Sequence, residues 1–287
     1  MVTIPTSPSL IFTELSRAHP TEGVSADGSK LPWWASCVQS FRMLSPSELP
    51  AGIYAGCAYT AFTLNVPKHL LYIAKQVKDA DGIFIRASLP TDSGLSSALT
   101  YAADLVKATT GKPTDAFINA TGLGAKTLVP DENMYPIRGQ TMTVHGEAQR
   151  IITVEDLNPA KPSITYILPR AGSGTSILGG TKQAGDWNGE VDEATSQDIM
   201  ARCAPWVPEL LTGADGGFEV VSEQVGLRPG RKGGARIEVE VVEGRTVCHC
   251  YGHAGAGYQN SVGSGEKVRR LLESSFGKES SMEKSML

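Results

Sequence analysis

The sequence predicts a mixed α/β fold in two interleaved halves: an α/β layer from the front and extreme back of the chain, and a mostly antiparallel sheet between them. Three observations carry this prediction. Helical and strand periods alternate between about residues 60 and 124, and short β-rich runs separated by turn residues fill the stretch from 141 to 251. The final apolar stripe, after residue 263, is helical again. Residues 1–140 with 245–287 are therefore expected to form the α/β layer, and 141–244 a β-rich domain.

Taken in order, residues 1 to about 50 show no clean period, are rich in Pro and Ser and hold the Trp33-Trp34 pair, so they read as irregular or partly helical surface. Pro67 suits a first helical turn, and Leu70, Leu71, Ile73, Ala74 and Val77 supply an apolar helical stripe. A short strand is predicted over Gly82 to Ala87. Ser93 or Ser96 can cap a helix running to about Thr110, with Ala98, Leu99, Ala102 and Leu105 on its buried side. Asp115 to Thr121 reads as a strand ending in the turn Gly122-Leu123-Gly124. Strands then follow at Thr141–His145, Ile151–Val154, Ile164–Leu168, Ser176–Gly180, Phe218–Val221, Ala235–Val241 and Thr246–Tyr251. Helices are expected at Glu193–Cys203 and at about Gly263–Phe276, the latter with Val268, Leu271 and Leu272 on one face.

Composition narrows the function. The chain is 41% hydrophobic and 20% charged, ordinary globular usage, and 26 Lys plus Arg stand against 30 Asp plus Glu with no basic stripe, so nucleic acid is not an expected partner. The longest uncharged stretch, Leu49 to Pro67, is too polar and too broken by Pro and Gly to span a bilayer, so no membrane is expected. Met1 to Leu10 lack the pattern of a secretory signal, and five cysteines read as free thiols in a reducing compartment. There is no G-x-S-x-G, H-E-x-x-H or G-x-x-x-x-G-K-[ST] motif. Cys248-His249-Cys250 with His253 could suggest a metal site, but on a strand the two thiols share one face and His249 points to the other, so a strand entering a turn is the preferred reading.

Three segments place polar groups where a plain sheet would not need them. Tyr166 sits at the centre of the apolar strand 164–170, either as a core tyrosine or with its hydroxyl in a site. Arg228 is wedged in Val225-Gly226-Leu227-Arg228-Pro229-Gly230-Arg231, rigid enough for bidentate capture of a carboxylate or for a structural ion pair. Tyr251-Gly252-His253-Ala254-Gly255-Ala256-Gly257-Tyr258-Gln259-Asn260 is a Gly-rich turn before the last helix, where backbone N–H groups and the helix N-terminus would suit an anionic ring or a phosphate.

Together these residues resemble the D-amino-acid oxidase family, which includes the D-aspartate oxidases, and most closely its fungal members. The resemblance runs from about Phe12 to about Leu272. It is carried, in order, by Asn119-Ala120-Thr121-Gly122, Pro136-Ile137-Arg138-Gly139-Gln140, Tyr166 with Pro169-Arg170, Gly179-Gly180-Thr181 with Gly185-Asp186-Trp187, Gly226-Leu227-Arg228-Pro229, and Tyr251-Gly252-His253 with Gly257-Tyr258-Gln259. It implies an FAD-linked oxidoreductase with a partial Rossmann-type layer, which oxidatively deaminates D-amino acids to 2-oxo acids, ammonia and hydrogen peroxide by hydride transfer to the flavin. Its partners would be the small D-amino acid and oxygen, and a homodimer is compatible with it.

The resemblance also assigns roles. Arg228 would clamp the substrate carboxylate, Tyr166 would donate to the same group, and the Gly255 carbonyl would accept from the substrate amine. Gly255, Ala256, Gly257, Tyr258 and Gln259 would meet the flavin at its pyrimidine edge, with Gln259 also counted among the catalytic set. Thr121, Gly122, Arg138, Gly139 and Gln140 would be further flavin-facing positions. Lys182 stands where related fungal enzymes often carry an aromatic lid residue and D-aspartate oxidases an arginine, which leaves neutral and acidic substrates open; a solvated surface lysine is the alternative.

Two features depart from the family. No glycine pair here completes G-x-G-x-x-G at the head of a βαβ unit, so the chain is expected to lack the first dinucleotide-binding segment, either as a fragment of a longer protein or as a genuine short product. The second case is a non-catalytic remnant that binds no FAD. Ser285-Met286-Leu287 resembles the S-K-L peroxisomal address without its basic middle residue, so a peroxisomal location is expected, otherwise a cytoplasmic one.

Overall fold

The computed structural model describes residues 10–16, 31–53, 55–156 and 163–285. Strands β1 (Leu10–Ser16), β2 (Gln39–Met43) and β3 (Ala55–Ala61) precede helix α1 (Val66–Asp79). Residues 1 to about 50, expected to be irregular or partly helical, thus supply two strands, and an unexpected third, β3, follows them. Local period could not reveal them, because β3 buries Ala55, Gly56, Cys57 and Ala58 in succession and so shows no alternation. Pro67 falls in the first turn of α1 as expected. No residue of that helix is buried, and Leu71 of its apolar stripe is 73% exposed.

The strand expected at 82–87 does not form. Gly82 N–H instead donates to the Val77 carbonyl at the end of α1, and Ile83 and Phe84 are exposed. A strand exists only by pairing, and among the described residues no strand pairs with this run. Helix α2 (Gly94–Thr110) follows, preceded by Ser93 and ended by Gly111 in the left-handed conformation that favours glycine. Next come β4 (Phe117–Asn119), α3 (Ala125–Leu128), β5 (Met134–His145), β6 (Ile151–Asp156), β7 (Ser163–Arg170), β8 (Thr175–Gly179), β9 (Gln183–Ala184) and α4 (Glu193–Cys203). Asp192 caps α4, accepting from the Thr195 N–H at 2.8 Å. The chain ends with β10 (Val220–Arg231), β11 (Arg236–Val242), β12 (Arg245–Tyr251) and α5 (Ser261–Ser285). Met286 and Leu287 of the expected targeting tripeptide lie outside the described residues.

The chain divides into two compact units. One comprises residues 1–83, 139–182 and 188–226, the other 84–138, 183–187 and 227–287. The expected division put 1–140 with 245–287. Residues up to 83 instead join the large sheet, because β1 pairs with both β3 and β6. Residues 227–244 join the second unit, because β11 pairs with β12 along its whole length.

The large sheet, most of it in the first unit, runs β10-β5-β8-β7-β6-β1-β3-β2; β6, β7, β8 and β5 pair antiparallel in that order, as do β1 with β3 and β2 with β3, whereas β1 and β6 are parallel. Register fixes its core. Ile152, Ile167, Leu178 and Met142 stand opposite one another across β6, β7, β8 and β5, each at most 1% exposed, in a cluster with Ile199 and Cys203 of α4. Side chains alternate along a strand, so the neighbouring row, Thr153, Tyr166, Gly179 and Thr141, lies on the other face. That places Tyr166 away from the core that α4 covers.

The second unit holds a three-stranded sheet, β11-β12-β4, with β12 antiparallel to β11 and parallel to β4. One face packs against α5. On the other face Asn119, His249 and Tyr251 are buried beside Val247, and Arg236, Glu238 and Glu240 stand on the same face of β11 opposite Tyr251, His249 and Val247.

Candidate active site

Arg228 lies near the end of β10, a strand at the margin of its sheet, where Pro229 can stand without costing a ladder hydrogen bond. A Cβ on Gly255 would sit 3.7 Å from Cδ of Arg228, and one on Gly122 would sit 3.8 Å from Cβ of Pro229. The half-buried arginine is thus packed against the Gly-rich loop, and its neighbour against the turn after β4. Sequence-predicted residues from three separate stretches, Gly122, Arg228 and Gly255, meet within the second unit.

The loop that carries Gly255 is shaped by Gly252. Its φ of +86° is a left-handed value, and a Cβ there would lie 2.8 Å from Cβ of Arg231, so only glycine fits. After it the chain makes a single 3₁₀ turn at Ala254–Ala256 and runs into α5, with Asn260 N–H donating to the Ala256 carbonyl. Gly255, Gly257, Tyr258 and Gln259 are exposed, and a Cβ on Gly257 would meet no heavy atom within 4 Å. The expected glycine turn before a helix N-terminus is present, with open backbone at the loop tip.

Two polar chains, neither anticipated from the sequence, brace these segments. Asp131 Oδ2 accepts from Arg231 Nε at 2.8 Å and from the Tyr251 hydroxyl at 2.9 Å, and its other oxygen accepts from the Asn133 N–H. On the polar face of the small sheet, Arg236 binds both the Tyr251 hydroxyl and Glu240, and Glu240 binds His249, which in turn meets Asn119. A period-2 reading of β12 places His249 and Tyr251 on one face, which was the available signal. Asp131, in a loop, gave none.

Burial of Asp131 would raise its pKa, but the donors from Arg231, Tyr251 and Asn133 more than offset it, so the carboxyl titrates below the usual range. A depressed folded-state pKa means stability that is present above the unfolded value of about 4 and lost as pH falls through the folded value. We expect the urea midpoint of the wild type to drop in acid below about pH 4, with part of that drop missing in Asp131→Asn, as read by pH-dependent urea melts. Asp131→Ala, which strands Arg231 and the Tyr251 hydroxyl, is expected to cost about 3–5 kcal/mol.

Tyr166 belongs to the first unit. It faces Gly179 across the β7–β8 pair, and a Cβ on Gly179 would fall only 2.2 Å from two ring carbons. The ring therefore lies on glycine backbone, half-buried, and its place depends on the absent side chain. Lys182, just beyond in the same unit, is exposed.

The side chains of Arg138 and Gln140 have partners within the protein. Arg138 is 2% exposed; its Nη1 donates to Gln183 Oε1 at 2.7 Å, and Nε lies 3.9 Å from Asp186. Gln140 is fully buried: its Nε2 donates to the Asp192 carbonyl and to Ser196 Oγ, and its Oε1 accepts from Asp192 N–H. That amide holds the start of α4, so a cofactor contact at 138–140 would rest on backbone, Gly139 included.

The second unit also suits a flat, mainly apolar ring with polar edges. A cavity of about 590 Å³ opens beside Gly257, lined by Ile118, Ala120, Cys250, His253 and Val268 and by the first turns of α5. It adjoins both segments expected to face the flavin, the turn after β4 and the Gly-rich loop. Its walls are almost wholly apolar, while the α5 N-terminus offers N–H donors to negative charge. Of the positions expected to face the flavin, Gly257 lines this cavity and Thr121–Gly122 follow directly on Ala120 in its wall, so these are the residues that would hold the ring of FAD here.

The family model for FAD dependent oxidoreductases (DAO) matches residues 21–271. The chain is 34% identical over 250 residues to a D-amino-acid oxidase of Fusarium vanettenii, covering 85% of this chain and 66% of that protein. It is 33% identical over 270 residues to a D-amino-acid oxidase of Schizosaccharomyces pombe, covering 88% and 73%. The chain thus spans about two thirds of the length of the curated relatives it matches. Among solved structures, glycine oxidase from Geobacillus kaustophilus superposes with a TM-score of 0.63 at 20% identity, over 92% of this chain and 71% of that one, which shows a shared fold. On the family match and the relatives' identity, the chain belongs to the D-amino-acid oxidase family of FAD-dependent oxidoreductases.

Proposed function

We propose that this protein oxidises D-amino acids to 2-oxo acids and ammonia, with oxygen reduced to hydrogen peroxide. The observation that carries the reading is the packing of Arg228 against Gly255, beside the turn at Gly122. That arrangement sets a carboxylate clamp next to an open backbone carbonyl, the two contacts an α-amino acid needs at one carbon. Arg228 binds the carboxylate with two parallel N–H donors. The Gly255 carbonyl accepts from the amine, and the resemblance gives Tyr166 a further contact to the carboxylate. FAD, when bound, supplies the hydride acceptor and returns the electrons to oxygen. The chain's own part is orientation: the α-hydrogen is aimed by two fixed ends of the substrate, so no side-chain base is required. Gly257, Tyr258, Gln259 and the first N–H groups of α5 favour negative charge at the pyrimidine edge of the ring. The released imino acid is hydrolysed by water.

Purified protein tests this directly. A yellow preparation that yields peroxide from D-alanine or D-aspartate and none from the L-isomers is the expected result. A colourless protein that stays inactive when FAD is added would leave the non-catalytic remnant as the better reading.

For substrate class we propose that Lys182, adjoining the Gly179–Thr181 segment, favours acidic side chains. Comparing kcat/KM for D-aspartate and D-alanine, Lys182→Met is expected to lower the ratio roughly 2- to 5-fold, the scale of one exposed ion pair. An unchanged ratio would mark a surface lysine.

A further inference from the structure

The polar face of the small sheet buries two groups, His249 and Asn119, whose hydrogen bonds have only one consistent assignment. His249, at the middle of β12, is fully buried. Its Nε2 lies 3.0 Å from Glu240 Oε2 and its Nδ1 lies 3.1 Å from Asn119 Nδ2. Glu240 is also held by Arg236 at 2.8 Å. A carboxylate paired with a guanidinium is ionised and can only accept, so Nε2 must carry the proton. In a neutral imidazole the other nitrogen then presents a lone pair. Only an NH₂ group can face that lone pair, so the Asn119 amide is turned with its oxygen the other way. That oxygen accepts from Thr121 N–H at 3.2 Å and from Thr121 Oγ1 at 2.8 Å.

An apolar residue at 249 would fill the same space without burying polar atoms. What the histidine adds is direction. If the imidazole carried its proton on Nδ1, the asparagine would have to flip. Its NH₂ would then face the Thr121 N–H, donor against donor, and the bond that fixes the turn would be lost.

We propose that His249 is a positioning residue: with Glu240 behind it, it sets the orientation of Asn119 and thereby fixes the Thr121–Gly122 turn in the geometry that receives the flavin. The inference rests on the reading of this turn as flavin-facing. The turn lies between the cavity wall at Ala120 and the contact of Gly122 with Pro229, so a shift here moves both the cofactor side and the neighbour of Arg228.

Three measurements test it. In the wild type, ¹⁵N shifts of the histidines should show His249 as the Nε2–H tautomer; an Nδ1–H tautomer or an imidazolium at neutral pH overturns the proposal without any mutation. His249→Leu should speed exchange of the Thr121 amide, and weaken FAD binding by flavin fluorescence about tenfold, the worth of a buried hydrogen bond. His249→Asn, whose side-chain oxygen can take the place of Nδ1, should restore amide protection and bring FAD affinity back to within about threefold. Unchanged Thr121 exchange in the leucine variant overturns the relay. Faster exchange with unchanged FAD affinity, or a wild type that binds no FAD at all, overturns the flavin-facing reading of the turn instead, since the exchange measurement needs no cofactor.

Discussion

Replacing Arg228 by alanine is expected to lower kcat/KM for D-amino acids by roughly two to four powers of ten in flavin-loaded protein, equivalent to about 3–5 kcal/mol. The magnitude follows from where the guanidinium sits. It is half-buried, packed on the Gly255 backbone and confined by Pro229, so it has little entropy to lose when a carboxylate arrives. Flavin content should barely change, because the groups assigned to the ring lie on the loop and on the turn after β4. Arg228→Lys is informative as well: it keeps the charge but loses the second parallel donor, so most of the loss should remain. Stopped-flow reduction of the flavin by D-alanine separates the effects. An unaltered rate and affinity in the alanine variant would remove Arg228 from the site.

How much of this was legible beforehand depends on where the deciding contacts lie along the chain. Helix α4 was found with its bounds because its signal is local, with Asp192 as cap and Ile199 and Cys203 on one face. The β11 and β12 hairpin was legible for the same reason, with a short turn at Glu243-Gly244 between alternating runs. Strands β1 to β3 were missed because pairing far along the chain makes them strands. The run at 82–87 shows the converse: its Ile83-Phe84-Ile85 core has the composition of a strand and finds no paired neighbour among the described residues. At the site, the positions named by resemblance fell into two groups. Gly122, Arg228 and Gly255 came together, whereas the side chains of Arg138 and Gln140 proved to hold β9, Asp186 and the start of α4. A motif marks a position as special without saying whether its side chain or its backbone is used.

The second large effect is expected at Gly179. A methyl group there would lie 2.2 Å from the Tyr166 ring, far inside contact distance, so the ring must leave its place on the glycine backbone before β7 and β8 can keep their register. Gly179→Ala is therefore expected to destabilise by about 1–3 kcal/mol or more through overpacking, and to weaken substrate binding by displacing the phenol. Tyr166→Phe should do much less, costing about 0.5–1.5 kcal/mol in substrate binding for one lost donor. A double-mutant cycle makes the argument decisive. Tyr166→Ala empties the space that the new methyl group invades, so Gly179→Ala made in that background should be nearly harmless to stability, and the coupling from urea melts should reach at least about 1 kcal/mol. Additive effects would mean that the glycine is needed for its backbone alone, and that the tyrosine ring does not rest where the register puts it.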